Sequence, residues 1–313
     1  MCTDGMTREL REKEDRLKQI LSGYGSVAVA LSGGVDSTLL LKMAVDTLGD
    51  KVIAVTAGAM PVTAAAGSTG DAEPALENTA DKATCSVLEG SDSGVNPEVM
   101  EAAKNAAAMG VKHIVFQSGE FEDEDFLRNP PERCYICKKL IFGGILRIAA
   151  EHGVETVLEG TNLDDLGDFR PGMLAITELG VKSPLREAGL NKADIRKLAE
   201  RYGLAVWNRP SNACLATRFP YGTRISMEKI ICVGKAEQIL YEFGFRQVRV
   251  RYHGTVARIE LAPSEMNRIF EKDTAHKVYE QFRALGFDYT ALDLIGYRTG
   301  SLNEHLDKSP AQE

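Results

Sequence analysis

Six consecutive residues near the start of the chain combine two serines, two adjacent glycines and an aspartate: Ser32, Gly33, Gly34, Val35, Asp36 and Ser37. Glycine lets backbone N–H groups turn toward an anion, and a helix that starts after the loop adds partial positive charge. The carboxylate of Asp36 would repel a phosphate unless a cation lay between them, and Mg²⁺ suits that position. The loop therefore predicts a site for a phosphate and Mg²⁺.

Cysteines form a second group of reactive side chains. Cys134 and Cys137 stand three residues apart, on one face of the first turn of a helix if Pro130 or Pro131 opens it. Cys214 lies much later and is a candidate reactive thiolate. Three thiolates without a fourth suit a [4Fe–4S] cluster with one open iron. The alternatives are two structural cysteines in the pair and a small apolar filler at Cys214.

Arginines form a third group, in a predicted β-hairpin over residues 246–261. Arg249 and Arg251 alternate with apolar residues and so share one face, where they would make a forked anion site. The alternative is a solvated face on which Arg258 pairs with Glu260. Glu237, on the preceding predicted helix, would either hold a cation or face water.

The elements that must position these groups alternate between strand and helix. Apolar runs predict five strands: Val27–Leu31, Lys51–Thr56, His113–Gln117, Glu155–Leu158 and Leu204–Trp207. Predicted helices lie between them, for example Thr38–Leu48 and Glu98–Met109. The pattern predicts an α/β fold with a doubly wound, parallel five-stranded sheet, in which ligands bind beyond the carboxyl ends of the strands. Four motifs are expected to converge on that rim: the glycine loop, the Cys134 segment, the Asn162/Asp164/Asp165 segment and the Cys214 segment.

Two domains are expected from the length of 313 residues. We place a larger domain, which holds the phosphate loop, at 1–217 and a smaller α+β domain at 218–313. The second holds the hairpin, a long helix over Ser264–Leu285 and a last strand near Tyr289–Leu294. A segment at about 58–95, rich in Ala, Gly, Ser and Thr, reads as a flexible insertion, and its Cys85 is assigned no role.

Composition excludes several classes of protein. The formal net charge of −8 argues against broad binding to nucleic acid or to an anionic membrane. The N-terminal segment is a charged amphipathic helix rather than a signal peptide, and six cysteines in a chain of this length do not suggest a disulfide framework. A cytoplasmic protein with reduced thiols is expected.

The loop Ser32–Ser37 resembles the PP-loop of ATP pyrophosphatases, which have an adenine nucleotide alpha hydrolase-like fold. Further motifs are similar to those of the LarE family of ATP-dependent sulfur transferases. They are Asn129–Lys139 around the cysteine pair, Glu159–Asn162, Arg209–Gly222 around Cys214, and Arg249–Gly254. The resemblance spans nearly the whole chain except roughly 58–95.

This resemblance implies a reaction and a site. ATP with Mg²⁺ on Asp36 would adenylate a carboxylate of pyridinium-3,5-biscarboxylic acid mononucleotide, and sulfur would then displace AMP to give a thiocarboxylate of the nickel-pincer cofactor. Cys214 and Asp36 are the implied catalytic residues. The nucleotide would be lined by Ser32, Gly33, Gly34, Asp36, Ser37, Thr56, Gly160 and Asn162.

The resemblance also assigns the substrate phosphate to Arg218, Arg249 and Arg251, and a metal contact to Glu237. In members with one cysteine, the residue at Cys214 gives up its own sulfur, whereas members with three are thought to use a [4Fe–4S] cluster. Cys134, Cys137 and Cys214 favour the cluster here. A homo-oligomer is also implied.

Three other functions compete with this interpretation. A PP-loop tRNA thiolase should have a broad basic surface, which an acidic chain does not suggest. An ammonia-using PP-loop amidotransferase would leave the three cysteines unexplained. A nucleotide-sensing or iron–sulfur storage module would bind ATP without releasing pyrophosphate, and it would have no need of the arginine-rich hairpin.

Overall fold

The computed structural model describes residues 7–58, 97–167, 171–209, 214–298 and 300–302. The chain divides into two compact units, of which the first comprises Met1–Glu120 with Cys134–Ser211 and the second Phe121–Arg133 with Asn212–Glu313. The predicted insertion at about 58–95, with Cys85, lies outside the described residues apart from Gly58.

A four-stranded parallel sheet forms the centre of the first unit. Its strands are β1 (Val27–Ala30), β2 (Val52–Gly58), β3 (Lys112–Gln117) and β4 (Thr156–Leu158), in the order β3-β2-β1-β4. Each of these elements matches a strand that the sequence predicts. The α/β class with a parallel sheet is therefore confirmed.

Helices cover both faces of this sheet. They are α1 (Arg8–Ser22), α2 (Val35–Leu48), α3 (Pro97–Ala108), α5 (Arg133–Glu151), α6 (Pro171–Glu178), α7 (Pro184–Glu187) and α8 (Lys192–Arg201), while α4 (Glu124–Leu127) belongs to the second unit. Successive side chains of a strand point to opposite faces. Accordingly Val27 and Val29 join a core cluster with α1, α2, α3 and α8, whereas Ala28 joins another with α5 and α6.

The predicted fifth strand is wrong. Residues 204–207 form successive turns, with the N–H of Trp207 donating to the carbonyl of Leu204 at 3.1 Å. Leu204 and Val206 are buried in the core cluster beside α8, so their apolar character reflects packing rather than a strand. At the β4 edge of the sheet, Leu158 instead makes a single parallel bridge with Lys182.

A smaller α+β arrangement forms the second unit. Helix α9 (Met227–Glu242) precedes the hairpin of β5 (Val248–His253) and β6 (Val256–Leu261), and β7 (Tyr289–Leu292) pairs parallel to β6 after α10 (Thr274–Ala284). The predicted hairpin and last strand are confirmed. The core here is apolar and aromatic, with the rings of Phe219 and Tyr252 at 5.1 Å.

The single helix predicted over Ser264–Leu285 is wrong. A 3-10 turn covers Met266–Phe270, and Lys272 then takes a left-handed φ of 54° before α10 begins at Thr274. An α-helix cannot pass through a left-handed residue, so the segment breaks at that point.

Residues 121–133 group with the second unit, whereas the sequence placed them in the first domain. Backbone hydrogen bonds explain this grouping: Gly222 donates to the carbonyl of Asn129 at 2.9 Å, and Ile225 donates to that of Leu127 at 2.8 Å. Among the described residues, no helix has the length and apolar character that crossing a membrane requires.

Candidate functional site

The predicted phosphate loop connects the end of β1 to α2. Gly33 has a left-handed φ of 76°, and a Cβ there would lie 2.8 Å from the carbonyl oxygen of Glu98, so only glycine fits. The hydroxyls of Ser32 and Ser37 lie 3.1 Å apart, and the Ser32 N–H donates to the Ser37 hydroxyl at 3.2 Å. These two serines therefore connect the first and last residues of the loop.

The first turn of α2 has the capacity to bind an anion. Its N-cap is Gly34, and within the described residues no side chain caps it. Uncapped N–H groups at a helix start carry partial positive charge and point outward. The sequence prediction of a strand, a glycine-rich loop and a helix start is thus confirmed as a backbone arrangement.

Asp36 lies in that first turn and is held by two residues from distant parts of the chain. Its carboxylate forms an ion pair with the Lys192 ammonium, and the Asn162 amide donates to it at 3.4 Å. Lys192 is the first residue of α8, and its N–H donates to Asp164 at 2.9 Å. Sequence reasoning missed Lys192, because nothing in its local sequence indicates that α8 begins beside the loop.

Gly160 and Asn162 follow β4 and lie against the same turn. A Cβ on Gly160 would lie 3.0 Å from the Ser37 nitrogen and 3.2 Å from the Asp36 Cβ, so a side chain would crowd the loop. Glu159, just before them, is buried and accepts from the Thr161 N–H at 3.0 Å and from the Thr161 hydroxyl at 2.7 Å. The structure therefore brings the residues after β4 to the phosphate loop.

Thr56, at the end of β2, is buried and bonded to protein groups. Its hydroxyl donates to the Leu31 carbonyl at 2.7 Å and lies 2.7 Å from Nε2 of His113. The single proton of the Thr56 hydroxyl is donated to the Leu31 carbonyl. The His113 ring must therefore carry its own proton on Nε2 and donate it to the hydroxyl oxygen. Burial lowers the pKa of His113, which keeps the ring neutral. Thr56 thus contacts the backbone immediately before Ser32.

The cysteine pair lies at the start of α5, as predicted, although the helix begins at Arg133 rather than at a proline. The Cys134 side chain is exposed and that of Cys137 is half-buried. A Cβ on Gly172 of α6 would lie 3.3 Å from the Cys134 carbonyl oxygen, so α6 packs closely here. No group of three or more His, Cys, Asp or Glu side chains suited to a metal ion is found among the described residues. The iron–sulfur site stays a prediction.

Cys214 precedes a 3-10 turn, Leu215–Arg218, in the second unit, and its side chain is exposed. Its carbonyl accepts from the Thr217 hydroxyl at 2.7 Å, from the Thr217 N–H at 2.9 Å and from Nη1 of Arg218 at 3.3 Å. The backbone of this cysteine is therefore fixed, and the residue is exposed.

Two of the predicted phosphate-binding arginines are paired with buried glutamates. Arg218 donates to both oxygens of Glu237, at 2.7 and 3.0 Å. Arg251 donates to both oxygens of Glu260, at 3.0 and 2.8 Å. All four side chains are buried. The alternative of a solvated arginine face is wrong, although Arg258 does contact Glu260 at 3.3 Å.

Arg249 differs from its two neighbours. It is 6% exposed, donates to the Val248 carbonyl at 2.7 Å and lies over the ring of Tyr297 at 5.3 Å. Among the described residues no carboxylate forms an ion pair with it. Burial, and then the charge of Arg218, lower the pKa of Arg249. An incoming anion would compensate this charge, so Arg249 is the arginine best suited to bind one.

Comparisons with known proteins give similarities over most of the chain, although no protein-family model matches it. The chain is 35% identical over 301 residues to the pyridinium-3,5-bisthiocarboxylic acid mononucleotide synthase of Lactiplantibacillus plantarum, covering 96% of this chain and 97% of that protein. It is 34% identical over 299 residues to an uncharacterised Synechocystis protein, covering 96% and 100%. It is also 26% identical over 250 residues to one of the subunits of the glutamine-hydrolysing GMP synthase of Archaeoglobus fulgidus, covering 74% and 68%.

Proposed function

Because the chain belongs to the LarE family of ATP-dependent sulfur transferases, we propose that it converts the carboxylates of pyridinium-3,5-biscarboxylic acid mononucleotide into thiocarboxylates. Family membership makes the protein an ATP-dependent sulfur-inserting enzyme. The observation that carries the substrate assignment is the 35% identity over nearly the full length of both proteins.

The first step is adenylation of a substrate carboxylate. A carboxylate oxygen attacks the α-phosphorus of ATP, the bond from that phosphorus to the bridging oxygen breaks, and pyrophosphate leaves. In this proposal the N–H groups of Ser32–Ser37 and the first turn of α2 hold the phosphates, and Lys192 offsets their charge. Asp36 is a carboxylate of the type that binds Mg²⁺, and the ion, when bound, would neutralise the phosphates.

The second step transfers sulfur to the activated carbonyl. A sulfur nucleophile attacks the acyl carbon, the acyl–phosphate bond breaks, and AMP carries away the electron pair. One candidate for this nucleophile is a sulfide carried by an iron–sulfur cluster. The Cys134 and Cys137 thiols, three residues apart at a helix start, are suitable ligands for a [4Fe–4S] cluster. Together with Cys214 they would hold that cluster, which supplies an additional sulfide when bound.

The alternative to a cluster-borne sulfide is the sulfur of Cys214 itself. Cys214 is exposed, so a substrate could reach it. The Cys214 thiolate would displace AMP and form a thioester. Loss of the Cys214 Cα proton and cleavage of its Cβ–S bond would then release the thiocarboxylate. The protein would keep a dehydroalanine at position 214, so each chain would react once.

The second unit is proposed to hold the substrate phosphate. Arg249 would bind it directly, with Arg218 and Arg251 beside it, and Glu237 would fix Arg218 and contact a metal ion. A homo-oligomer located in the cytoplasm is part of the same proposal.

Incubation of the purified protein with ATP, Mg²⁺ and the biscarboxylic acid mononucleotide tests the function. We expect pyrophosphate release that depends on the substrate, with a thiocarboxylate product about 16 mass units heavier per carboxylate, because one oxygen is exchanged for sulfur. Asp36→Asn should abolish both signals. Pyrophosphate release without a sulfur-containing product, even with a sulfide donor present, would contradict the proposal.

A further inference from the structure

Asn129 binds the backbone that follows Cys214. Its side-chain amide donates to the Pro220 carbonyl at 2.8 Å and to the Phe219 carbonyl at 3.4 Å. Its own backbone carbonyl accepts from the Gly222 N–H at 2.9 Å. The residue is fully buried, so these hydrogen bonds form in a region of low dielectric constant, where leaving one of them unmade is costly.

Arg133 binds the same backbone closer to Cys214. Its Nη1 donates to the Ala216 carbonyl at 3.0 Å and to the side-chain oxygen of Asn129, and its guanidinium lies 5.7 Å from the centre of the Tyr221 ring. Arg133 is 2% exposed, yet no described carboxylate pairs with it. Burying a guanidinium without a counter-charge is expensive, and its directional hydrogen bonds offset that cost.

Asn129 also adopts a backbone conformation that needs support. Its φ of 55° lies in the left-handed region, which asparagine tolerates better than most residues other than glycine. Arg133 fixes the Asn129 side chain from one side, while the carbonyls of Phe219 and Pro220 fix it from the other. The two residues and the 216–222 backbone thus form one connected hydrogen-bond network.

From this network we propose that Asn129 and Arg133 are positioning residues for Cys214. The 3-10 turn after Cys214 is only four residues long, and Arg133 binds the carbonyl in its middle. Arg218 and Arg251 bind the Cys214 and Thr217 carbonyls. Held in this way, the backbone fixes the position of Cys214, whether this residue holds the cluster or gives up its own sulfur. This inference rests on the proposed function.

Substitution of Arg133 separates sulfur transfer from adenylation. We expect Arg133→Gln and Arg133→Lys to keep the rate of substrate-dependent pyrophosphate release in the first turnover within about threefold of wild type. Both should slow formation of the thiocarboxylate in a single turnover on the order of a hundredfold, the effect of a misplaced reacting group. Lysine keeps the charge but not the planar fork, so a loss in both variants assigns the role to geometry. Asn129→Ser should act in the same direction.

Arg128→Gln is the matched control, because Arg128 lies one residue before Asn129 and is exposed. It should leave pyrophosphate release, sulfur transfer and the thermal unfolding midpoint unchanged. If Arg133→Gln does not fold, Arg133→Lys carries the test. Sulfur transfer at the wild-type rate would overturn the proposal, as would an equal fall in pyrophosphate release and sulfur transfer. Failure of the wild-type protein itself to release pyrophosphate or to make thiocarboxylate would instead refute the proposed function.

Discussion

Lys192 forms an ion pair with Asp36, although the two residues lie 156 positions apart in the sequence. The pair places a positive charge at a phosphate loop that has no lysine of its own. Asp36 accepts from Lys192 here, and it is also the carboxylate proposed to bind Mg²⁺. With Mg²⁺ and ATP bound, the ammonium would contact a phosphate oxygen instead, and Asp36 would have a cationic partner in both states.

Lys192→Gln should therefore weaken adenylation more than it weakens folding. We expect pyrophosphate release to fall by about a hundredfold, the cost of losing one charged donor to a transferring phosphoryl group. Lys197→Gln is the matched control, since Lys197 lies on the same helix and is exposed. Single-turnover rates of pyrophosphate release over a range of ATP concentrations measure the effect for either sulfur source. An unchanged dependence of this rate on ATP concentration in Lys192→Gln would show that the lysine only anchors α8.

Iron analysis distinguishes the two sulfur sources. If a cluster forms, protein purified without oxygen should contain about four iron atoms and about four acid-labile sulfides per chain. Cys134→Ala should then lose the iron. Cys232→Ala is the control and should keep the iron, because Cys232 is not one of the proposed ligands. Its half-buried thiol donates to the Leu285 carbonyl at 3.4 Å. Protein without iron, whose mass falls by the elements of H₂S at Cys214 after one turnover, would instead identify Cys214 as the source.

The parts of the site that the sequence predicts well are contiguous in the chain. The loop Ser32–Ser37 follows directly from a strand, two glycines and a helix start, and the structure has each of them. Lys192 could not be predicted in this way, because its place beside Asp36 depends on how α8 packs on α2. The apolar residues 204–207 led to a wrong prediction for the opposite reason: a short apolar run fits a turn in the core as well as it fits a strand.

The roles of the arginines likewise depended on tertiary structure. Hairpin register places Arg258 directly opposite Arg251, and like charges opposite each other are unfavourable. Glu260 contacts both of them and removes this repulsion. The sequence showed an excess of arginines on one face. It did not show that Glu237 would pair with the guanidinium of Arg218, or Glu260 with that of Arg251.

Arg249 and Arg251 should thus respond differently to the same substitution. Arg249→Met should weaken substrate binding and change the free energy of unfolding little, because no described carboxylate forms an ion pair with Arg249. Arg251→Met leaves Glu260 fully buried with Arg258 as its remaining partner, which should destabilise the protein by about 3 kcal/mol. Urea unfolding and substrate titration measure the two effects.

The double variant Arg251→Met with Glu260→Gln serves as the control for this pair. Removing the buried charge together with its partner should restore much of the lost stability. A loss of stability in Arg249→Met as large as that in Arg251→Met would contradict the assignment of Arg249 to the ligand. Substrate affinity that is unchanged in Arg249→Met would contradict it as well.

His113 should make the protein less stable at pH values below the ordinary pKa of histidine. Burial lowers the pKa of His113 in the folded protein, so the unfolded chain binds a proton there at a higher pH than the folded one does. Stability therefore falls as the pH drops below about 6.5, the pKa of histidine in an unfolded chain, until the folded-state pKa is passed. His113→Gln keeps an N–H donor for Thr56 but cannot titrate, and it should reduce this slope.

Urea unfolding of wild type and His113→Gln at pH 7.5 and at pH 5.5 measures that difference. The wild-type protein should lose more stability between the two pH values, because groups that titrate in both proteins cancel in the comparison. His276→Gln, at an exposed position of α10, should behave as wild type. Equal pH dependence in wild type and His113→Gln would mean that His113 is not the source of the slope. That result would also argue against the assignment of His113 as a neutral ring that donates its Nε2 proton to Thr56.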